Sequence, residues 1–144
     1  YLDALKSLDQ ILVENLDEGT KLKFYYLKSR ILHAQGQHSE ALRAVFEAGK
    51  LLQLSKMSDS QKTETRNMFS TQAELASREI RDVIVFDSLI KEFPENILAD
   101  SSYYHAGRIS KDANQNGLAE TYYRYLLSKY PDSAYKAQGE EQLK

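Results

Sequence analysis

The chain has no cysteine, and only two prolines and six glycines among 144 residues. Without cysteine it can form no disulfide and offers no thiolate to a metal, and the redox compartment stays open. The glycines never gather as a phosphate-cradling loop requires, and no HExxH pair occurs. No apolar run approaches the roughly 18 residues of a membrane span, so direct membrane insertion is not expected. An excess of either charge is also missing. Nineteen basic against twenty-one acidic side chains leave a net −2, whereas a nucleic-acid footprint needs concentrated basic surface. No basic-then-apolar leader opens the chain. With Tyr1 in first place, however, it reads as a segment of a longer protein, so that absence says nothing of destination.

What is present is helical periodicity. Hydrophobic residues make up 42% and charged residues 28%, ordinary for a globular chain long enough to bury one core. Leu2, Leu5, Leu8, Leu12 and Leu16 recur at three- and four-residue steps and predict a helix over 1–16. Gly19 is a stop for it, and Thr20 a cap for the next, which carries Leu22, Tyr25, Tyr26, Ser29 and Leu32 as far as Gln35. After a turn at Gly36, Ser39 caps a helix through Leu42, Val45, Phe46 and Leu52. A polar loop over 55–60 leads to a long helix from Asp59 to about Ser77, with Met68, Phe69, Ala73 and Ala76 inward. Val83 to Phe93 is a further helix, stopped at Pro94 because the residue before proline is pushed out of helical angles. Helices over 97–113 and 118–129 follow, and a last one is capped by Asp132 or Ser133. No alternating strand pattern occurs. The class is all-α.

The pattern repeats. Phe93-Pro94-Glu95-Asn96 and Tyr130-Pro131-Asp132-Ser133 are one element 37 residues apart. Counting back from each proline, Phe86 pairs with Tyr123, Leu89 with Leu126 and Ile90 with Leu127. The Gly36 hairpin joins this frame when Ala41 is set against Asp82 and Ala119. A small slot is then filled by Ser29, Ser70 and Gly107, as close helix crossings need, and large slots by Val45, Phe86 and Tyr123. Offsets of 41 and 37 residues fit paired-helix repeats with variable loops.

Lys28-Ser29, Leu32, Gly36, Glu40-Ala41, Val45 and Ala48 resemble the tetratricopeptide repeat family, as do Tyr103, Ala106-Gly107, Ala119, Tyr123 and Pro131. The resemblance implies a right-handed superhelix of antiparallel helix pairs in one domain over 1–144. It comprises a half repeat at 1–17, repeats at 20–54, 58–94 and 97–131, and a truncated helix at 133–144. The tyrosine-rich ending, Tyr122 to Tyr135, is similar to bacterial envelope members, among them the outer-membrane assembly lipoprotein and the Tol–Pal coordinator. That likeness favours a periplasmic or outer-membrane-associated setting.

The resemblance also implies where partners bind. The inner face of each first helix lines a concave groove, placing Lys23, Tyr26, Arg30 and His33 in the first repeat. Glu64, Asn67, Thr71 and Glu74 follow in the second, and Ser101, Tyr104, Arg108 and Lys111 in the third. Tyr26, Arg30, Tyr104 and Arg108 lead this set, because tyrosine and arginine dominate interface hot spots. The family's lysine- and asparagine-built clamp for a C-terminal carboxylate is not expected, since its places hold residues such as Tyr26, Arg30, Ser101 and His105. Seven of the ten tyrosines lie from Tyr103 to Tyr135. Tyr123 is core by register, while Tyr104, Tyr122 and Tyr125 are off register and partly exposed.

No catalytic residue, metal site or cofactor is expected. His33 and His38 stand five apart across the turn, not at the i, i+4 spacing that puts two ligands on one helical face, and His38 falls at a packing position. The expected function is a non-catalytic scaffold that binds another protein or peptide, in the setting of outer-membrane or cell-wall assembly. Two alternatives stay open: a helical accessory part of a larger envelope enzyme, and a module that self-associates by end stacking.

Overall fold

The computed structural model describes residues 2–9 and 13–144, and among them every regular element is helical. Eight α-helices follow in order: α1 Leu2–Asp9, α2 Glu18–Ala34, α3 His38–Gln53, α4 Asp59–Glu79, α5 Val83–Glu92, α6 Asp100–Asp112, α7 Asn116–Lys129 and α8 Lys136–Gln142. A 3-10 turn at Val13–Asn15 precedes α2. The expected run of the first helix through Ile11 and Leu12 lies outside the described residues.

Side chains cap α2, α4 and α5, whereas α3, α6, α7 and α8 start without a side-chain cap. Asp17 accepts from the Thr20 N–H at 2.8 Å, so α2 begins at Glu18 and both Gly19 and Thr20 lie inside it. A carboxylate satisfies a free donor and also suits the positive end of the helix dipole. Ser58 and Gln61 form a reciprocal capping box for α4. Ser39 caps nothing: α3 starts one residue earlier, behind Gln37. The last helix likewise starts at Lys136 behind Tyr135, not at Asp132 or Ser133.

The α2–α3 and α6–α7 connections are the same turn. Gln37 N–H donates to Leu32 O at 2.9 Å and Gly36 N–H to His33 O at 3.0 Å. In the second turn Gln115 N–H donates to Ser110 O at 2.8 Å and Asn114 N–H to Lys111 O at 2.9 Å. Each is a Schellman closure with its pivot in the left-handed region, at φ 79 for Gly36 and φ 62 for Asn114. Glycine adopts this conformation freely, and asparagine is among the few other residues that tolerate it.

Through these turns α2 lies along α3 and α6 along α7, and α4 packs on α3 and α6. The small slots explain the close approach. Ser29 is fully buried, and a Cβ on Gly107 would stand 2.6 Å from the Tyr123 ring. The middle pair differs. Ser70 is only half-buried, and α4 and α5 do not pack along one another as the other pairs do. Asp82 is the reason at the α5 end: its backbone is extended and its carboxylate accepts from Ile84 N–H at 2.9 Å. It therefore caps α5 instead of filling a slot between helices. Met68 also departs from its expected inward place and is 44% exposed.

The core runs through Leu42, Val45, Phe46, Phe69, Phe86, Leu98 and Leu126. Amid it sits Asn96, 1% exposed. Its Nδ2 donates to Phe46 O at 2.8 Å, its Oδ1 accepts from Leu98 N–H at 3.0 Å, and its carbonyl accepts from Tyr130 Oη–H at 2.7 Å. Gly49 on α3 makes room for this amide, because a Cβ there would collide with the Asn96 side chain. Gly49→Ala should therefore destabilise the fold by about 1–3 kcal/mol, although alanine ordinarily improves a helix interior by roughly 1 kcal/mol. In an Asn96→Ala background the same substitution should turn neutral or stabilising. A denaturant-unfolding double-mutant cycle measures this, and additive effects would refute the contact.

Candidate functional site

The helices expected to line a groove, α2, α4 and α6, do lie side by side, with α4 touching both neighbours. Six of the residues expected there are spread over three clefts instead of sharing one surface, and Arg30, His33, Glu64, Ser101, Tyr104 and Arg108 line none of the three. Tyr26 belongs to a cleft of about 410 Å³ between α2 and α4, whose walls are mainly apolar: Leu22, Tyr26, Leu27, Met57, Met68 and Phe69. The Tyr26 ring meets Phe69 edge-on at 5.6 Å, and Arg30 lies over its face at 5.7 Å. Lys23 lines the same cleft. Leu27 is 47% exposed and Met68 44%, so the cleft carries open apolar surface as well as a packed floor.

Asn67, Thr71 and Glu74 line a second, polar cleft of about 480 Å³ between α4 and the segment over 132–135, together with Arg66, Arg78 and Asp132. Glu74 is its hub. Its carboxylate accepts from His105 Nε2 at 2.9 Å, from the Tyr135 hydroxyl, and from Arg78 Nη2 at 3.3 Å. Burial alone would raise the Glu74 carboxyl. The hydrogen bonds from His105, Tyr135 and Arg78 outweigh it and hold the group at about 2. Tyr135 is pushed up from its usual range, first by burial and then by the same carboxylate.

Tyr104 and Arg108 are built into this cluster. Tyr104 stacks on Tyr135, centroids 5.1 Å apart and planes 23° apart. Arg108 Nε donates to His105 Nδ1 at 3.2 Å, and its Nη2 is buried without a hydrogen-bond partner among the described residues. An Nε–H can only donate, so the network assigns the lone pair of His105 to Nδ1 and its proton to Nε2. Both ring nitrogens are thus committed, and the imidazole has none left to take a proton from a nucleophile. The arrangement suits a clamp that seats the 132–135 segment on α4 and α6. Lys111 lies in a third cleft, where its Nζ donates to Gln142 of α8.

Set against known proteins, the chain matches no family model, no curated protein and no solved structure.

His33 and His38 depart furthest from the reading of their spacing. The Gly36 turn folds the chain back on itself and brings Nδ1 of one within 2.9 Å of Nδ1 of the other. The rings stand 4.8 Å apart, half-buried at the hairpin tip. His38 is therefore not packed in the core between helices. His33 is held below its usual 6.5, first by burial and then by His38, with Glu79 acting in the opposite sense.

The tyrosines are mostly a packing array. Tyr103 stacks on Tyr125 at 4.6 Å and approaches Tyr130 at 5.7 Å. Tyr123 is core, and burial raises its hydroxyl to about 12. Tyr122, expected to be partly exposed, is 9% exposed, whereas Tyr104 and Tyr125 are half-buried. Tyr135 and His105, which anchor Glu74, stood outside the expected groove set. The Tyr130-Pro131-Asp132-Ser133 element, counterpart of Phe93-Pro94-Glu95-Asn96, was the available pointer to Tyr135, two residues beyond Ser133.

The Glu74 cluster gives a signed pH dependence. The folded carboxyl lies below its usual 4.5, so its stabilisation is complete above that pH and fades as pH falls toward about 2. Glu74→Gln should cost about 1–3 kcal/mol at neutral pH, and the gap to the parent should shrink by more than half near pH 3. Urea unfolding at the two pH values reads this directly. A gap of constant size would remove the carboxylate from the account.

Proposed function

We propose that the chain is a non-catalytic scaffold of tetratricopeptide-like helix pairs that binds an apolar stretch of another protein in the cleft between α2 and α4. The repeat part of this reading is supported by the turn that recurs at Gly36 and Asn114, and by the small residues Ser29 and Gly107 at the matching crossings. Two further hydrogen bonds recur 37 residues apart. Leu98 N–H donates to the Asn96 side chain and Tyr135 N–H to the Ser133 side chain, each at 3.0 Å.

One observation carries the binding part. The chain has two methionines, Met57 and Met68, and both line the α2–α4 cleft beside exposed Leu27. Methionine is flexible and polarisable, so it moulds to apolar side chains of different shape and is favoured at adaptable binding surfaces. Tyr26 supplies a rigid aromatic wall already pinned by Phe69 and Arg30, which lowers the ordering cost of binding. Arg30 and Lys23 add cationic groups at the α2 side. The ligand that fits has two or three apolar side chains and an acidic group beside them.

Peptides selected on the folded chain from a random display library should be apolar with an acidic residue. They should bind Leu27→Glu and Met68→Glu at least tenfold more weakly, as measured by isothermal titration. Both positions are exposed, so the melting temperature should hold. Leu54→Glu, at an 85% exposed position outside the cleft, should leave affinity unchanged. Selected peptides that bind Met68→Glu as tightly as the parent would refute the cleft as the site.

A further inference from the structure

The turn that joins α2 to α3 does not need its two histidines. The α6–α7 turn makes the same pair of backbone hydrogen bonds, and there the places of His33 and His38 are taken by Lys111 and Asn116. The backbone entering each following helix also agrees, φ −90 and ψ 69 at Gln37 against φ −92 and ψ 67 at Gln115. The hairpin therefore closes in this form with or without imidazoles, and the pair at its tip is an addition to what folding requires.

The geometry of that addition is specific. The two Nδ1 atoms face one another at 2.9 Å across the turn, on rings tilted 60° to each other. Both side chains are half-buried, so solvent reaches them while the helices beneath limit their movement. In the free protein one ring donates its Nδ1–H to the Nδ1 lone pair of the other. If that proton moves to Nε2 by exchange with water, both Nδ1 lone pairs are free, and a turn of the two rings aims them at one ion beside the gap.

Neutral imidazole nitrogen is a good ligand for late first-row divalent ions, at about 2.0–2.1 Å. Two nitrogens at that distance and at right angles about one ion lie about 2.9 Å apart; at a tetrahedral angle they lie about 3.3–3.4 Å apart. The observed separation matches the right-angled pair, the tetragonal arrangement favoured by Cu(II) and Ni(II). Among the described residues no third histidine, cysteine or carboxylate completes a set of three, so water would fill the remaining positions.

We propose that His33 and His38 form a two-imidazole chelating site for a divalent late transition ion, Cu(II) foremost, at the tip of the first hairpin. Affinity should follow the order Cu(II) above Ni(II) above Co(II), the general order for nitrogen ligands. A bound ion would join the last turn of α2 to the first residue of α3 and so add to the stability of the hairpin.

The test is titration of the whole chain with Cu(II) alone at neutral pH, followed by calorimetry and electron paramagnetic resonance. One ion should bind per chain, with a signal showing two nitrogen ligands and a rise in melting temperature. His33→Lys and His38→Asn, which copy the residues of the α6–α7 turn, should each weaken this binding at least tenfold. The double variant should keep its helical circular dichroism and lose the metal-induced rise. Equal affinity in the double variant, or no binding by the parent, would overturn the proposal. If the double variant fails to fold, the single variants decide: a folded His38→Asn that binds like the parent would overturn it too.

Discussion

One buried amide ties the two halves of the molecule together. Asn96 lies between α5 and α6, yet its side chain bonds to the backbone of α3 and its carbonyl takes a hydrogen bond from Tyr130 at the end of α7. A polar group so deeply enclosed costs free energy unless its bonding capacity is met, and here amide and carbonyl are both engaged. The requirement propagates outward. Gly49 has to lack a side chain, the 93–99 linker has to turn where it does, and Tyr130 has to keep its hydroxyl within the core. Apolar packing supplies most of the burial. This amide sets the register in which the pieces meet.

Much of the architecture was legible in the sequence, because spacing reports which face of a helix is buried. The helices, the Gly36 turn, the stop at Pro94 and the core places of Val45, Phe86 and Tyr123 all follow from it. Spacing does not report which helices touch. The loose relation of α4 to α5 was hidden for that reason, and Asp82, which looked like an odd occupant of a small slot, is a cap. Some helix starts were misplaced where polar residues competed, as Asp17 did with Thr20, although α4 starts at the expected Asp59. Met68 and Tyr122 exchanged their expected exposures, since a residue at the edge of a stripe is buried or open according to its neighbour in space.

The expected groove residues fared unevenly for a similar reason. Each set of four lies on one helical stripe, but neighbouring stripes meet different surroundings. Tyr26 borders open apolar surface beside two methionines. Glu74, Tyr104 and Arg108 are taken up by His105 and Tyr135, a residue outside any helix, so helical periodicity could not place it. His33 and His38 were separated by an argument valid within one helix and annulled by the reversal of the chain at Gly36.

The reach of Asn96 also bears on how fast the molecule comes apart. The turns at Gly36 and Asn114 join residues close in sequence, and such local hairpins form early. The bond from Asn96 to Phe46 spans fifty residues and closes only once α3 and the linker have docked. Interactions made after the folding barrier is crossed act mainly on the rate of unfolding. If its bond forms after that barrier, the amide acts as a latch on the assembled core, governing its lifetime more than the speed of its assembly.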